Sequence, residues 1–295
     1  MNNTTKAHLA LLGANIFYGA GFSVAKYIMP RLIQPNGFIL IRVGCAMLLF
    51  ALSYFLGKNF RTIFDKKDYP RLIACAIFGV ACNQLLFFKG LELTSPIHAS
   101  LMMLSTPILV SIFAAYLLKE KFTSQKYLGL ALGIIGSLIL VSQAAKNNLA
   151  PDPILGNLFI LLNAASYAIY LVIVKPLMQK YRPIIIIRFL FFIGFWIVLP
   201  FGFQDLQQIN WQEFLPQEIA AVVFIVVGIT FFTYLWNIYA LKILSPSTAG
   251  AYIYSQPVFS AFIAILFLGE HITLEKLIAA ILIFLCVFLV SKKNN

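Results

Sequence analysis

Ser95–Glu120 reads SPIHASLMMLSTPILVSIFAAYLLKE, and Ser245–Glu270 reads SPSTAGAYIYSQPVFSAFIAILFLGE. The two stretches lie 150 positions apart and align without a gap. Each begins Ser-Pro, places a second proline eleven residues on (Pro107, Pro257) and ends on a glutamate (Glu120, Glu270). Ala99 and Ala249, Ser105 and Ser255, Ala114 and Ala264, and Leu118 and Leu268 also match. Similarity at one long fixed offset marks an internal repeat. Each copy holds about 20 apolar residues, the length of a membrane-spanning helix.

The rest of the chain agrees with that reading. Of its 295 residues 61% are hydrophobic and only 11% charged. A soluble domain carries about 25% charged residues, so this chain has too little polar surface to cover a globule in water. The net charge of +12 does not form a basic stripe interleaved with aromatics. The lysines and arginines stand mainly between apolar runs, which speaks for membrane topology and no nucleic-acid partner. The cysteines Cys45, Cys75, Cys82 and Cys286 lie inside apolar runs and read as small packing residues.

Ten apolar runs follow one another: 8–28, 37–57, 70–91, 96–118, 126–143, 154–175, 183–203, 217–241, 247–268 and 274–291. Each can cross a hydrocarbon core of about 30 Å as a helix, and the alternation of a barrel strand is absent. The expected fold is an all-α membrane protein of ten transmembrane helices arranged as two inverted five-helix repeats, residues 1–146 and 147–295. Tyr18–Lys26 aligns with Tyr167–Lys175, so the first run reads as a helix of the fold and not as a signal peptide.

Lysine and arginine positions set the orientation. With ten spans, the side holding both termini receives fourteen basic residues and the other side four (Arg31, Lys89, Lys146, Lys276). Both termini are therefore expected in the cytoplasm, and the protein in the inner membrane. Five helices per half is an odd number, so the halves should be inverted. The flanking charge changes accordingly, from Lys119 and Lys121 around Glu120 to Gly269 and His271 around Glu270.

Repeats with a site near the midplane are the usual architecture of secondary transporters, and ionisable groups inside a membrane are functional candidates. Lys26 and Lys175 sit where a side chain can snorkel to headgroups. Arg42 and Arg188 lie deeper and are the charged candidates. Either snorkels, or faces a cavity and holds an anionic substrate group or a gate carboxylate, with Glu92 the candidate partner of Arg42. No Asp or Glu lies deep in any span, which weighs toward facilitated diffusion or exchange and against a multivalent cation.

The polar and aromatic intramembrane residues Asn15, Tyr18, Asn83, Gln84, Phe87, His98, Asn163, Tyr167, Tyr234, Asn237, Tyr254 and Gln256 are the substrate-binding candidates. Asn83, Phe87, Asn237 and Tyr254 are placed in front, with Asn15, Tyr18, Asn163 and Tyr167 behind them. Interhelical hydrogen bonding is the competing reading. A cavity explains the set better, because helices 2, 5, 7 and 10 are almost free of such groups. Pro107 and Pro257 are candidate hinges of two gates, and Glu120 and Glu270 read as helix-end anchors. Gly129 and Gly133 form a GxxxG surface that serves either packing within the chain or a homodimer. With only three histidines, His98 is not a metal site. No catalytic group, metal or cofactor is expected: there are no paired carboxylates, no His/Asp cluster, no GxxxxGK[ST] phosphate loop and no filter-like TVGYG run.

In order, the first half shows Tyr18, Lys26, Pro35, Arg42, Pro107, Glu120 and Gly129, and the second Tyr167, Lys175, Pro183, Arg188, Pro257, Gly269 and Glu270. This pattern resembles the EamA-type ten-helix branch of the drug/metabolite transporter superfamily, over nearly the whole chain. Lys119 departs from it where a glycine is usual before the glutamate, and Ala279 and Cys286 stand where the first half has Gly129 and Gly136. The resemblance implies a carrier of small metabolites, often an exporter of amino acids or related compounds, with membrane lipid around it and a small solute in a central cavity. A flippase for lipids or sugar carriers of the same superfamily is the alternative it implies.

Overall fold

A computed structural model of the chain describes residues 2–56, 64–94, 99, 102–121, 123–143, 151–256, 258–259 and 274–291. All regular structure among them is helical. The helices are α1 (Asn3–Ile28), α2 (Pro35–Leu56), α3 (Tyr69–Ala76), α4 (Cys82–Leu93), α5 (Ser105–Leu118), α6 (Ser124–Gln143) and α7 (Pro153–Ile173). There follow α8 (Lys175–Lys180), α9 (Pro183–Gln207), α10 (Pro216–Val223), α11 (Thr233–Ile243), α12 (Pro246–Ala251) and α13 (Leu274–Ser291).

The expectation of ten transmembrane helices in two inverted sets of five needs correction. Among the described residues five helical stretches are long and apolar enough to cross a membrane: Pro35–Leu52, Lys66–Leu93, Pro153–Lys180, Pro183–Gln207 and Pro216–Ile243. The other runs are shorter, less apolar or only partly described among these residues. α1 is long, but Asn3, Thr4, Thr5, Lys6, His8 and Asn15 dilute its apolar content. In the run 96–118 the continuous helix is Ser105–Leu118, only 14 residues. In the run 247–268 the described part breaks into the short α12 and a 3-10 turn, Tyr252–Ser255. The apolar part of α13, Leu277–Val290, is likewise short.

Both copies of the repeated stretch break at the same serine. The hydroxyl of Ser105 donates to the Met102 carbonyl at 2.7 Å, and that of Ser255 to the Tyr252 carbonyl at 2.6 Å. A side chain that bonds back three residues competes with the helix ladder and tightens the turn. Pro107 therefore sits in the first turn of α5, where its missing N–H costs nothing, and not in the middle of an unbroken helix. Pro257 lies outside the described residues. Ser245 caps α12, accepting from the Thr248 N–H at 3.2 Å, with Pro246 at the first helical position, the arrangement proline favours there.

The halves pair reciprocally. α1 packs on α11 and α4 on α7, while α2 packs on α9 and α6 on α13. Small residues allow the close approaches. A Cβ at Gly90 would meet the Gly156 carbonyl oxygen at 2.9 Å, and the matching positions Ala7 and Ala240 are small and fully buried. The Gly129, Gly133 and Gly136 face of α6 is taken up by Cys286, Ile283 and Ala279 of α13, so the GxxxG surface packs inside the chain.

Two rods also carry a π-helical segment, Ile77–Ala81 between α3 and α4 and Phe224–Phe232 between α10 and α11. Such segments widen the helix, leave carbonyls without their usual partners and occur often at functional sites. Here side chains from the opposite half fill that need. Ser166 donates to the Phe78 carbonyl and Tyr234 to the Gly79 carbonyl, both at 2.7 Å.

Candidate functional site

The widened rods open a cavity between them. It is lined by Tyr18 of α1, Arg42 of α2, Asn83, Gln84 and Phe87 of α4, Asn163 and Tyr167 of α7, Tyr234 of α11, and Gln256. Phe88, Met103, Ile225, Ile229 and Ile253 complete an apolar wall. About 100 Å³ is open to the centres of water-sized spheres. One water needs about 10–15 Å³ by that measure, so the space takes roughly 7–10 waters or one small solute.

Several of the polar lining groups are held by their own helix or by a neighbour. Tyr234 is fixed by the Gly79 carbonyl of the π segment. The Tyr18 hydroxyl accepts from Thr233 Oγ1 at 3.1 Å and from Asn237 Nδ2 at 3.3 Å. Asn163 donates to the Asn83 carbonyl at 2.5 Å, tying α7 to α4. Gln256 donates to Asn15 Oδ1 at 2.9 Å, and Asn15 donates to the Leu11 carbonyl at 2.8 Å. Arg42 is 6% exposed. Its Nε donates to Thr230 Oγ1 at 3.1 Å, and its guanidinium lies 4.7 Å from the Phe88 ring centroid, a cation–π distance. Among the described residues no carboxylate pairs with it: Glu92 pairs with Lys89 at 2.7 Å instead.

Most sequence candidates meet at this cavity, but their order differs from expectation. Tyr18, Asn163 and Tyr167, expected behind, stand in its wall together with Asn83, Gln84, Phe87, Tyr234 and Gln256. Asn237, expected in front, stands behind Tyr18 and donates to the Thr233 carbonyl of its own helix at 2.9 Å. Asn15 supports Gln256 from behind. Tyr254 is buried away from the cavity, against Gly133 and Cys286, and its hydroxyl has no partner among the described residues. Arg188 is half-buried on α9 and does not line the cavity. His98 lies outside the described residues.

Sequence reasoning missed the supporting threonines Thr230 and Thr233 and the apolar wall. Nothing in the composition of an apolar helix separates Ile229 from its lipid-facing neighbours. Among the described residues no group of three His, Cys, Asp or Glu side chains could hold a metal ion.

The two copies of the repeated stretch are tied to each other. Glu120, just past α5, accepts from Lys126 Nζ at 2.5 Å and from Ser247 Oγ of α12 at 3.0 Å. Nearby, Lys175 does not reach outward to headgroups: its ammonium donates to the Leu241 carbonyl and, at 2.7 Å, to the Leu244 carbonyl. It thus caps the C-terminus of α11, where the carbonyls lack helix partners. Glu120 is an anchor, as expected. Glu270 lies outside the described residues.

A polar pocket enclosed by apolar, membrane-length helices from two matching halves is the arrangement of a multi-pass membrane transporter. The chain belongs to the EamA-like transporter family, whose model matches it twice, at residues 5–142 and 154–292. It is 28% identical to a transporter of Archaeoglobus fulgidus over 94% of this chain and 96% of that protein. It is 25% identical to the transporter YyaM of Bacillus subtilis over 96% of this chain and 93% of that one. It is 24% identical to the protein WALLS ARE THIN 1 of Arabidopsis thaliana over 94% of this chain and 80% of that one. A solved crystal structure superposes with a TM-score of 0.76 at 18% identity, over 97% of both chains, and shares the fold. The chain is a multi-pass membrane protein and a secondary transporter, not an enzyme.

Proposed function

We propose that the cavity is the substrate site and that a small organic metabolite, of the amino-acid class or related to it, crosses the membrane through it by alternating access. The observation that carries this reading is the wall itself. It draws polar groups from both matched halves, Asn83 and Gln84 from one and Asn163, Tyr234 and Gln256 from the other, inside an otherwise apolar shell. Such convergence of a few polar groups in an apolar pocket is the mark of a small-molecule site, and the junction of two repeats is the usual place for a site that opens to either side in turn. The size of the space favours a compact solute over a lipid or a sugar carried on a polyprenyl tail. The helix breaks at Ser105 and Ser255 are the proposed hinges, beside Pro107 and Pro257. The lysine and arginine bias supports a cytoplasmic position for both termini. Comparing metabolites in the medium of overexpressing and deletion strains tests the direction. A solute enriched by overexpression, and no longer enriched with Asn163→Ala, is the expected result. An unchanged profile refutes export.

A further inference from the structure

The cavity wall carries one full charge. Arg42 is its sole ionised group among the described lining residues, and Asp and Glu are absent from that wall. A buried guanidinium without a carboxylate partner is costly. Here Thr230 and the Phe88 ring compensate in part, through one hydrogen bond and one cation–π contact. A second observation points the same way. Gln84, 3% exposed, lines the same space, and neither its amide nitrogen nor its amide oxygen has a hydrogen-bond partner among the described residues. Asn163 Oδ1 is likewise unpartnered. Unpaired buried polar groups are rare in native folds and call for an occupant.

We infer that the site takes a small organic monoanion, a carboxylate on an apolar or aromatic body, with its head on Arg42 and Gln84 and its body against Phe87, Met103 and Ile253. A single cation neutralises a carboxylate but leaves a doubly charged phosphate half unpaired. The planar guanidinium fork suits a carboxylate in particular. A zwitterion would bring an ammonium into a wall that offers no carboxylate to receive it. The inference rests on the reading of this cavity as the substrate site and, of the solutes proposed above, sets aside amino acids themselves and keeps related acids without a free amine.

The test uses the full chain, purified in nanodiscs, and three probes of one shape: 3-phenylpropionate, its neutral amide 3-phenylpropanamide, and the zwitterion phenylalanine. Equilibrium binding should favour the carboxylate over the amide by roughly 10- to 100-fold, the worth of a charge-assisted hydrogen bond. Arg42→Gln should erase that preference and Arg42→Lys retain part of it. If Arg42→Gln does not fold, Gln84→Glu serves instead. It adds a negative charge to the same wall and should weaken the carboxylate, but not the amide, by about 10-fold. Equal binding of carboxylate and amide, tighter binding of phenylalanine, or a preference untouched by both variants overturns the inference. Should the amide alone bind and be lost in Asn163→Ala, the anion assignment falls while the cavity stands as the site. If none of the probes binds, the monoanion assignment is rejected. If none is carried into proteoliposomes either, the reading of the cavity falls with it.

Discussion

Removing the Ser247 hydroxyl should open one end of the transporter. Ser247 is buried on α12 and donates to Glu120 Oε2 at 3.0 Å, and Glu120 follows α5. The bond therefore joins the two copies of the repeated stretch. A hydrogen bond to a charged group contributes about 1.5–3 kcal/mol. Two features put Ser247→Ala at the low end. Glu120 keeps Lys126 at 2.5 Å on its other oxygen, and its side chain is 18% exposed, so water replaces the lost donor. The expected loss is about 1.5 kcal/mol of closed state, or a shift of roughly 10-fold toward opening at that end. The assay places a cysteine at Met103, in the cavity wall, and reads its labelling by a membrane-impermeant maleimide from each face of sealed vesicles, above the background of the chain without it. Ser247→Ala should raise labelling by about 10-fold from the face that carries Glu120 and leave or lower it from the other. Unchanged labelling from that face, or a rise from the opposite one, refutes the idea that this bond holds the end shut.

Other perturbations test the frame around the cavity. Lys119 sits at φ 54°, ψ 34° at the end of α5, a left-handed conformation that costs a side chain roughly 1–2 kcal/mol and that glycine adopts freely. Lys119→Gly should thus raise the thermal midpoint, by about 0.5–1 kcal/mol of stability after the entropy of the added glycine. Gly136→Ala places a Cβ 2.8 Å from the Ala279 carbonyl oxygen; backbone cannot step aside cheaply, so a loss of about 1–3 kcal/mol in denaturant titration is expected, with no change in oligomeric state by light scattering. Glu218→Gln and Asp68→Asn should each lower the thermal midpoint. Glu218 should matter more, because its side chain is 1% exposed against 12% for Asp68, while each accepts one further hydrogen bond, from the Leu215 N–H at 2.9 Å and from the Tyr181 hydroxyl at 2.7 Å. The reverse order would contradict that account.

The membrane class, the repeat and a pool of candidates for the polar part of the cavity wall can be read from residue types alone, because polar side chains inside apolar runs are expensive and must turn inward. Which of them meet the cavity cannot. Asn237 and Asn163 are the same residue in similar surroundings, yet Asn237 satisfies itself on the Thr233 carbonyl four residues back while Asn163 reaches across to α4. Sequence does not say whether an amide bonds within its own helix. The π segments at Ile77–Ala81 and Phe224–Phe232 are equally silent, since a widened turn has no side-chain period of its own over so few residues. Gly79 and Gly228 mark them only in hindsight, each facing an aromatic ring of the other half, Tyr170 and Phe17. The break in the repeated stretch was visible as matched Ser105 and Ser255, but a serine in an apolar run also fits an unbroken helix. That ambiguity is why hydropathy counted spans where the backbone is interrupted.

Two ion pairs bear on which parts of the bundle can move. Arg31, beyond α1, pairs with Glu218 of α10, and Lys180, at the end of α8, pairs with Asp68 ahead of α3 at 2.6 Å. These are corresponding positions of the repeat, Arg31 and Lys180 lying 149 apart and Asp68 and Glu218 lying 150 apart. Both pairs are made in the same state. A gate must differ between the two ends, and these pairs do not. They instead clamp α1 to the rod of α10 and α11, and α7 with α8 to the rod of α3 and α4, the same partners that pack along their length. The clamped partners come from different halves, so the repeats are interlocked and do not separate as blocks. Movement then falls to the elements outside the clamps, α5 and α12 with their tightened turns at Ser105 and Ser255. α5 and α12 are themselves joined through Glu120 and Ser247. A tie between interrupted helices, beside matched clamps on continuous ones, fits the proposed alternating access: a rigid wall for the cavity and a closure that can open and shut.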